Sequence, residues 1–354
     1  MKWLDVAKGG AILLVVLHHA FLQLSGQGIQ SAIYAPLDDL LKQVRMPTFF
    51  LASGIATSFL IGRSRTEFVA RKLLPMAWIF LVWTVVLGLL SAVDPTAAPL
   101  SDDGVVTYVG EALVRPTNGM WFVWGLGLLT LAAFLVRRLP PALVLGGVAG
   151  LAVASGFGLV PHEAGPFLPW VVRNVTGYAF LFFAGLYLPA AFQRLAADPR
   201  RLAGATLAAT ATLIAVCAVD IAHGGGLTAE WQPVRSLAGG LAGLGVAMGV
   251  AALPILGGWL EWVGARSLAI FVGHGVFLLP FERLAGRSLA AADPSEAARL
   301  ATGLGLAVAA VLTALLLHAA LTRLRLGWLY VLPPTVGRRA GDAIRPLIRP
   351  AAPA

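Results

Sequence analysis

Long apolar stretches alternate with short polar segments along almost the whole chain. A helix that crosses a bilayer needs about 20 mainly apolar residues, and the pattern predicts ten such spans between residues 9 and 321. The predicted spans are 9–24, 47–62, 74–93, 120–136, 141–160, 174–192, 202–221, 234–253, 265–281 and 300–321. The predicted fold class is therefore all-α, a polytopic integral membrane helical bundle with about ten transmembrane helices.

Three of these spans are less regular than the others. The first two are short for a full crossing, so we expect them to tilt little or to end below one membrane interface. The eighth is rich in glycine and is interrupted near Pro254. Lys2 and Lys8 precede the first apolar run, as in a signal peptide, but no small-residue cleavage site ends that run cleanly. We interpret it as the first span.

The composition agrees with a membrane protein. Hydrophobic residues make up 58% of the chain and charged residues only 12%, whereas soluble domains average about 25% charged residues. The mean hydropathy is +0.82. Since no polar block is large enough for a soluble domain, we expect one membrane-embedded domain over residues 1–332. Residues 333–354 are predicted to be a basic, disordered cytoplasmic tail that lies against anionic lipid headgroups.

The net charge of +9 is scattered between the spans, which favours topology signals over a nucleic-acid surface. With the N-terminus in the cytoplasm, 18 of the 26 basic residues lie in predicted inner segments. An even number of spans returns the C-terminus to the same side. The single cysteine, Cys217, excludes an intrachain disulfide.

The first span carries ionisable residues at a helical spacing. Lys8 and His19 are 11 residues apart, which places them on one face of a helix at heights about 16 Å apart. Asp5 lies one turn before Lys8 and can pair with it. Ionisable groups inside a span usually face the bundle interior or a water-filled cavity. An end-of-helix lysine can also snorkel to the interface, and His19 can be a packing residue. His18, rotated by about 100°, is the alternative working histidine.

Two blocks of sequence resemble the acyltransferase-3 membrane family. The first is Asp5-Val6-Ala7-Lys8-Gly9, followed by His19 at the eleventh position after Lys8. The second is Arg45-Met46-Pro47-Thr48-Phe49-Phe50-Leu51-Ala52-Ser53-Gly54. Weaker matches are Trp121-Phe122, Phe182-Phe183-Ala184-Gly185 and Gly264 to His274. Within the family the sequence is most similar to the sugar O-acetylase branch typified by fucose 4-O-acetylases.

The resemblance implies transfer of an acyl group, usually acetyl from acetyl-CoA, to a hydroxyl of a carbohydrate, polysaccharide or glycolipid. No tightly bound cofactor is implied, because acetyl-CoA acts as a co-substrate. Histidine has the pKa to deprotonate a hydroxyl near neutrality. His19 is therefore a candidate general base, which we favour, or a covalent acyl carrier. No zinc-ligand spacing occurs in the sequence, so no metal is expected.

The remaining candidates divide by their predicted side of the membrane. Lys8 and the basic residues of the first inner loop can hold the phosphates of the donor, although they also fit ordinary positive-inside charge. These loop residues are Arg63, Arg65, Arg71 and Lys72. Arg45, at the outer end of the second span, can orient the acceptor or stabilise an oxyanion. Candidate acceptor-binding residues are Asn118, Trp121, Arg173, Asn174, Ser267 and His274.

The sequence thus predicts a multi-pass O-acetyltransferase of the bacterial inner membrane, where it modifies the cell envelope. Its expected partners are acetyl-CoA, the acceptor and the lipid bilayer, and homo-oligomers are left open. The main alternative is a transporter or exporter of a sugar or small metabolite, because such residues also mark substrate paths. Another is an assembly protein without chemistry. The acceptor, the choice between acetyl and succinyl, and the face of transfer are not specified by the sequence.

Overall fold

The computed structural model describes residues 1–93, 104–114, 116, 119–159, 167–224, 227–281 and 293–337. Within these ranges the chain is helical and forms no strand. The first helices are α1 (Lys2–Gly26), α2 (Tyr34–Ile61), α3 (Arg65–Phe68), a π-helical turn (Val69–Leu73), α4 (Leu74–Val93), α5 (Gly104–Val114), α6 (Trp121–Val136) and α7 (Pro141–Gly156). The rest are α8 (Phe167–Tyr187), α9 (Pro189–Ala197), α10 (Pro199–Gly224), α11 (Gln232–Ala251), α12 (Pro254–Gly264), α13 (Ser267–Phe281) and α14 (Glu296–Arg323), followed by a 3₁₀ turn (Gly327–Leu329).

Six helical segments of the described chain are long and apolar enough to cross a membrane, and two bent helix pairs raise the number to eight. The bent pairs are α8 with α9, at 72°, and α12 with α13, at 70°. Two shorter apolar helices, α6 and α7, have 16 residues each. A helical membrane bundle is therefore confirmed, while the count of about ten spans and the orientation of the termini stay predictions.

The expectation that the first two spans are short was wrong. Helix α1 has 25 residues and α2 has 28, so each is long enough for a full crossing. The apolar run underestimates α2 because its polar first half, residues 34–46, is also helical. Arg45 consequently lies inside α2 and is only 3% exposed, rather than at the end of the helix. Tyr34, Asp38 and Arg45 of this half form hydrogen bonds with each other and with His18 of α1, as described below.

The interruption near Pro254 is real and separates two helices. Helix α11 ends at Ala251, and Pro254 begins α12. Proline suits the first position of a helix because that position has no intrahelical partner for its missing N–H. Helix α12 fills the gap that the pattern left between the predicted spans 234–253 and 265–281. With 11 residues it is too short to be predicted as a span of its own.

Helix α1 lies at the centre of the bundle, in contact with α2, α11, α12, α13 and α14. Its closest neighbour is α12, where glycines allow the two backbones to touch. The position of a side chain at Gly264 is occupied by the carbonyl oxygen of Asp5, and that at Gly9 by the carbonyl oxygen of Leu260. Small residues at such crossings are typical of membrane helices. This crossing fixes the end of α1 that carries Lys8.

Helices α2 and α8 cross in the same way. A Cβ atom on Gly54 would collide with the carbonyl oxygen of Phe182, and one on Gly185 with the carbonyl oxygen of Leu51. The stretch Gly239 to Gly243 packs against α2 as well, as is typical of small residues in membrane helices. Helix α2 is thereby packed between α8 and α11, and this packing fixes the position of its polar side chains.

The segment after α14 folds back onto α4. The indole N–H of Trp78 donates to the carbonyl oxygen of Trp328 at 2.8 Å, and that of Trp83 donates to the carbonyl oxygen of Leu329 at 2.8 Å. Tyr330 is 5% exposed and packs on Trp83. The chain is therefore packed on α4 as far as Tyr330. Residues 338–354, most of the predicted disordered tail, lie outside the described residues.

Candidate active site

A cavity of about 340 Å³, the His19 cavity, lies beside the second half of α1. Helices α1, α2, α6, α8 and α13 all contribute to its wall. About half of its wall is polar or amphipathic, and these residues are His18, His19, Asp38, Asp39, Lys42, Arg45, Trp121, Asn174 and Tyr178, with apolar side chains between them. A concave site with a few convergent polar groups is the usual form of a small-molecule site.

His19 is hydrogen-bonded to a second histidine on another helix. Its Nδ1 atom lies 3.0 Å from Nε2 of His274, and the two rings stack with centroids 5.0 Å apart. The Nδ1 atom of His274 lies 3.1 Å from the carbonyl oxygen of Ile270, which can only accept. His274 therefore carries its proton on Nδ1 and accepts at Nε2. His19 in turn donates from Nδ1, and its Nε2 atom is left as an unprotonated acceptor.

His18 belongs to a different polar group, centred on Asp38 of α2. The Nδ1 atom of His18 lies 2.7 Å from one carboxylate oxygen of Asp38. The other oxygen accepts from Arg45 at 2.6 Å and from the hydroxyl of Tyr34 at 3.0 Å. Asp38 thus ties α1 to α2 and neutralises the buried guanidinium. An unpaired charge in such a place would be costly.

Asp38 was not among the residues expected from the sequence, because residues 34–46 were taken to precede the second span. A helical spacing could have found it. Tyr34 and Asp38 are four residues apart, and Asp38 and Arg45 are seven apart, so all three lie on one face of a helix. His18 and His19 have different hydrogen-bond partners but are close to each other. Both histidines line the same cavity, with ring centroids 5.2 Å apart.

The candidate acceptor-binding residues do not all meet at this cavity. Trp121 opens α6 and lines it, as does Asn174, which is 5% exposed. Arg173 is partly exposed and is absent from the lining. Asn118 lies outside the described residues. Ser267 lines a different cavity, although His274, seven residues further along α13, reaches His19.

A second cavity of about 500 Å³, the Lys8 cavity, lies beside the first half of α1. Lys8 and Ser267 are polar residues in its mainly apolar wall, and Tyr330 to Pro334 form another part. The ammonium of Lys8 is 2.6 Å from a carboxylate oxygen of Asp5, the pairing that their spacing predicts. Neither cavity is fully enclosed. Lys8 and His19 therefore line two different cavities rather than one.

The basic residues between α2 and α4 form a cluster near the Lys8 end of the molecule. Arg63 and Arg71 are exposed and flank Glu67, at 3.9 Å and 3.4 Å. Arg65 and Lys72 are partly buried, and none of the four lines the second cavity itself. Lys72 lies in the π-helical turn, a distortion that often marks functional sites. The cluster borders the cavity, whose wall includes Ala70 of the same turn.

The fold and the site define a polytopic helical membrane protein with a histidine-lined cavity in its interior. The acyltransferase-3 family model, described as an acyltransferase domain, matches residues 1–321. The chain belongs to this family and is a membrane acyltransferase, which makes it an enzyme of the transferase class. No curated protein and no solved structure matches the chain.

Proposed function

We propose that the protein is an O-acyltransferase that moves an acetyl group from acetyl-CoA to a hydroxyl of a carbohydrate, polysaccharide or glycolipid in the bacterial inner membrane. The observation that carries this proposal is the hydrogen bond between His19 and His274. With both imidazoles neutral, this bond leaves Nε2 of His19 unprotonated, and His19 lines the first cavity. A hydroxyl is a weak nucleophile until a base of this kind removes its proton.

The proposed reaction begins when Nε2 of His19 takes the proton of the acceptor hydroxyl. The hydroxyl oxygen bonds to the carbonyl carbon of the thioester, and the carbon–sulfur bond breaks. Coenzyme A leaves as a thiolate and takes the proton from His19, so that the imidazole is neutral again. His274 supports both states by accepting from Nδ1 of His19 at 3.0 Å. In the alternative carrier route, Nε2 itself bonds to the acyl carbon while the carbon–sulfur bond breaks, and coenzyme A leaves as a thiolate. The acceptor oxygen then bonds to the acyl carbon, the carbon–nitrogen bond breaks, and the hydroxyl proton passes to the thiolate.

His19 is better placed than His18 to meet the donor. His274, its partner, packs beside Phe271, with ring centroids 6.2 Å apart, and Phe271 lines the Lys8 cavity as well. His18 instead points to Asp38 and also lines a third cavity near Ser31 and Tyr34. We assign His18, Asp38 and Arg45 to positioning the acceptor.

The donor is proposed to enter at the Lys8 end. Its anionic phosphates would contact the basic cluster, because guanidinium and ammonium groups donate to phosphate oxygens. The pantetheine arm would occupy the Lys8 cavity, and the thioester would reach toward His19. The height difference of about 16 Å along α1 suits a ligand with charge at one end and a reactive group at the other. With the N-terminus in the cytoplasm, the donor comes from the cytoplasmic pool.

The acceptor is proposed to bind in the His19 cavity. Trp121 offers a flat amphipathic face, and Asn174 offers an amide that can both donate and accept. These groups suit a polyhydroxylated ring. The resemblance to fucose 4-O-acetylases supports a sugar, either in a polymer or linked to a lipid.

A coupled assay tests the proposal. Detergent-purified protein is mixed with acetyl-CoA and a glycolipid extract, and the free thiol of coenzyme A is measured together with the mass of the extracted glycans. We expect thiol release and an acetyl increment on a glycan, both lost in His19→Ala at unchanged expression. Stable binding of a sugar without consumption of acetyl-CoA would contradict the proposal and favour a transporter.

A further inference from the structure

Three phenylalanine residues are shared by the walls of the two cavities. Phe49 of α2, Phe122 of α6 and Phe271 of α13 line both the His19 cavity and the Lys8 cavity. His19 lines only the first of the two, and Lys8 only the second. The rings therefore stand between the residue proposed to act on the acyl group and the place proposed for the donor.

The three rings contact each other rather than lying apart. Phe122 is central, with its centroid 5.1 Å from that of Phe49 and 5.5 Å from that of Phe271, and both pairs meet edge to face at 61°. These are favourable aromatic geometries. Phe49 and Phe122 are each 7% exposed, whereas Phe271 is partly exposed. Because each ring comes from a different helix, a small movement of one helix changes the gap between them.

We propose that Phe49, Phe122 and Phe271 form an aromatic partition that the thioester end of the donor must pass, and that the partition limits the size of the acyl group. This inference rests on the proposed function for its donor. It assigns to the three rings the selection of short acyl chains, and to Phe122 the largest share.

The location of the partition explains why size is selected there. Phe271 packs beside His274, which holds His19, so the passage ends directly at the proposed base. Any acyl chain must pass between the rings before its carbonyl carbon reaches Nε2 of His19. Since packed aromatic groups leave little free volume, each added methylene meets the rings. A hydrophobic contact of this kind discriminates by about tenfold or more per methylene.

The partition would also keep water in the His19 cavity apart from water in the Lys8 cavity. Rings in edge-to-face contact leave no polar partner for water, and water needs polar partners to occupy a buried site. The acyl group would then cross while bulk water does not, which protects the thioester from hydrolysis. A cavity that ran continuously from Lys8 to His19 would give no such protection.

Acyl-chain profiles test the size limit. Thiol release is measured with acetyl-, butyryl- and octanoyl-CoA for the wild type, Phe122→Ala and Phe271→Leu, with a membrane extract as acceptor. Phe59→Ala is the matched control, since Phe59 is an exposed phenylalanine of α2 outside both cavities. We expect the octanoyl-to-acetyl rate ratio to rise at least about tenfold in both partition variants and to stay constant in the control.

A ratio that does not change, in variants that still use acetyl-CoA, would overturn the partition. If the wild type itself consumes no acetyl-CoA, the proposed function fails instead, and the two failures are therefore distinguishable. Phe271→Leu is the milder change, because leucine retains much of the apolar volume of phenylalanine. It therefore tests the passage even if Phe122→Ala does not fold.

Cysteine labelling tests the partition without any activity. Cys217, the only cysteine, is replaced by serine, and single cysteines are placed at Ser53, which lines the Lys8 cavity, or at Met46, which lines the His19 cavity. A membrane-impermeant thiol reagent is applied to either face of sealed vesicles. We expect each cysteine to react from one face only, and from opposite faces, with Phe122→Ala opening the second route. Reaction of either cysteine from both faces with the rings intact would overturn the proposal.

Discussion

The Nδ1 atom of His19 lies 3.0 Å from Nε2 of His274, and this contact joins the first helix of the bundle to α13 across 255 positions of sequence. Because His274 donates from its own Nδ1 to the carbonyl oxygen of Ile270, the pair has only one consistent arrangement of protons when both rings are neutral. The arrangement turns the basic nitrogen of His19 away from His274. His274 is thus a positioning residue that fixes the tautomer of His19.

Replacement of His274 by alanine is expected to lower acyl transfer by about 10²-fold, because His19 loses the partner that orients its ring. His274→Gln should recover part of the rate, since the amide oxygen can still accept from Nδ1 of His19. Rates are measured by thiol release from acetyl-CoA. His318→Gln is the control, because His318 lies on α14 and lines neither cavity. Equal rates for His274→Ala and His274→Gln would contradict the positioning role.

Removal of Asp38 is expected to destabilise the protein. Asp38→Ala leaves Arg45, which is 3% exposed, without the carboxylate that neutralises it. Breaking a buried pair from one side costs about 3 kcal/mol or more. The thermal unfolding of detergent-purified protein should therefore shift to lower temperature. Asp39→Asn, an exposed neighbour on the same helix, should leave it nearly unchanged. An unchanged melting temperature for Asp38→Ala would show that Asp38 does not stabilise the α1–α2 contact.

Lys8 is expected to act on donor binding more than on the chemical step. Lys8→Ala should raise the KM for acetyl-CoA about tenfold, the loss expected for one charge-assisted hydrogen bond, with a much smaller effect on kcat. Lys8→Arg should retain most of the affinity because it keeps the charge. Lys2→Ala is the control at the same end of α1, where Lys2 is exposed. A fall in kcat at constant KM would place Lys8 in the chemistry instead.

The glycine crossings provide a test of the fold. Gly54→Leu is expected to prevent the approach of α2 to α8, because its Cβ atom would collide with the carbonyl oxygen of Phe182. Monodisperse protein should then be lost in size-exclusion chromatography. Gly127→Ala, in α6 with open space around it, should stabilise the helix by about 1 kcal/mol. Normal expression and melting of Gly54→Leu would refute the proposed crossing.

The sequence predicts some parts of the molecule well because they follow local rules. Apolar length predicted a helical membrane bundle, in which six to eight segments of the described chain are long and apolar enough to cross a membrane. The eleven-residue spacing predicted that Lys8 and His19 share one face of α1, whereas the two residues line different cavities. The resemblance to the acyltransferase-3 family agrees with the family match. The start of α2 was missed because its helix is stabilised by contacts of Asp38 with α1, which no local apolar pattern records.

Other features depend on contacts between distant segments. Ser267 and His274 are seven positions apart on α13, yet Ser267 lines the second cavity while His274 contacts His19, which lines the first. The packing of Trp328 to Tyr330 on α4 joins segments about 250 positions apart. A single sequence does not specify such pairings, since each phenylalanine or tryptophan of a span is equally suited to face lipid.

In the proposed reaction His19, and not its neighbour His18, performs the acyl transfer. The most direct measurement compares thiol release from acetyl-CoA by His19→Ala and His18→Ala, purified in the same detergent and matched for folding by their melting curves. We expect the rate of thiol release to fall by about 10³-fold in His19→Ala, the effect of losing a general base. His18→Ala should keep measurable turnover with weaker acceptor binding. Full activity in His19→Ala, or loss confined to His18→Ala, would contradict the proposed reaction.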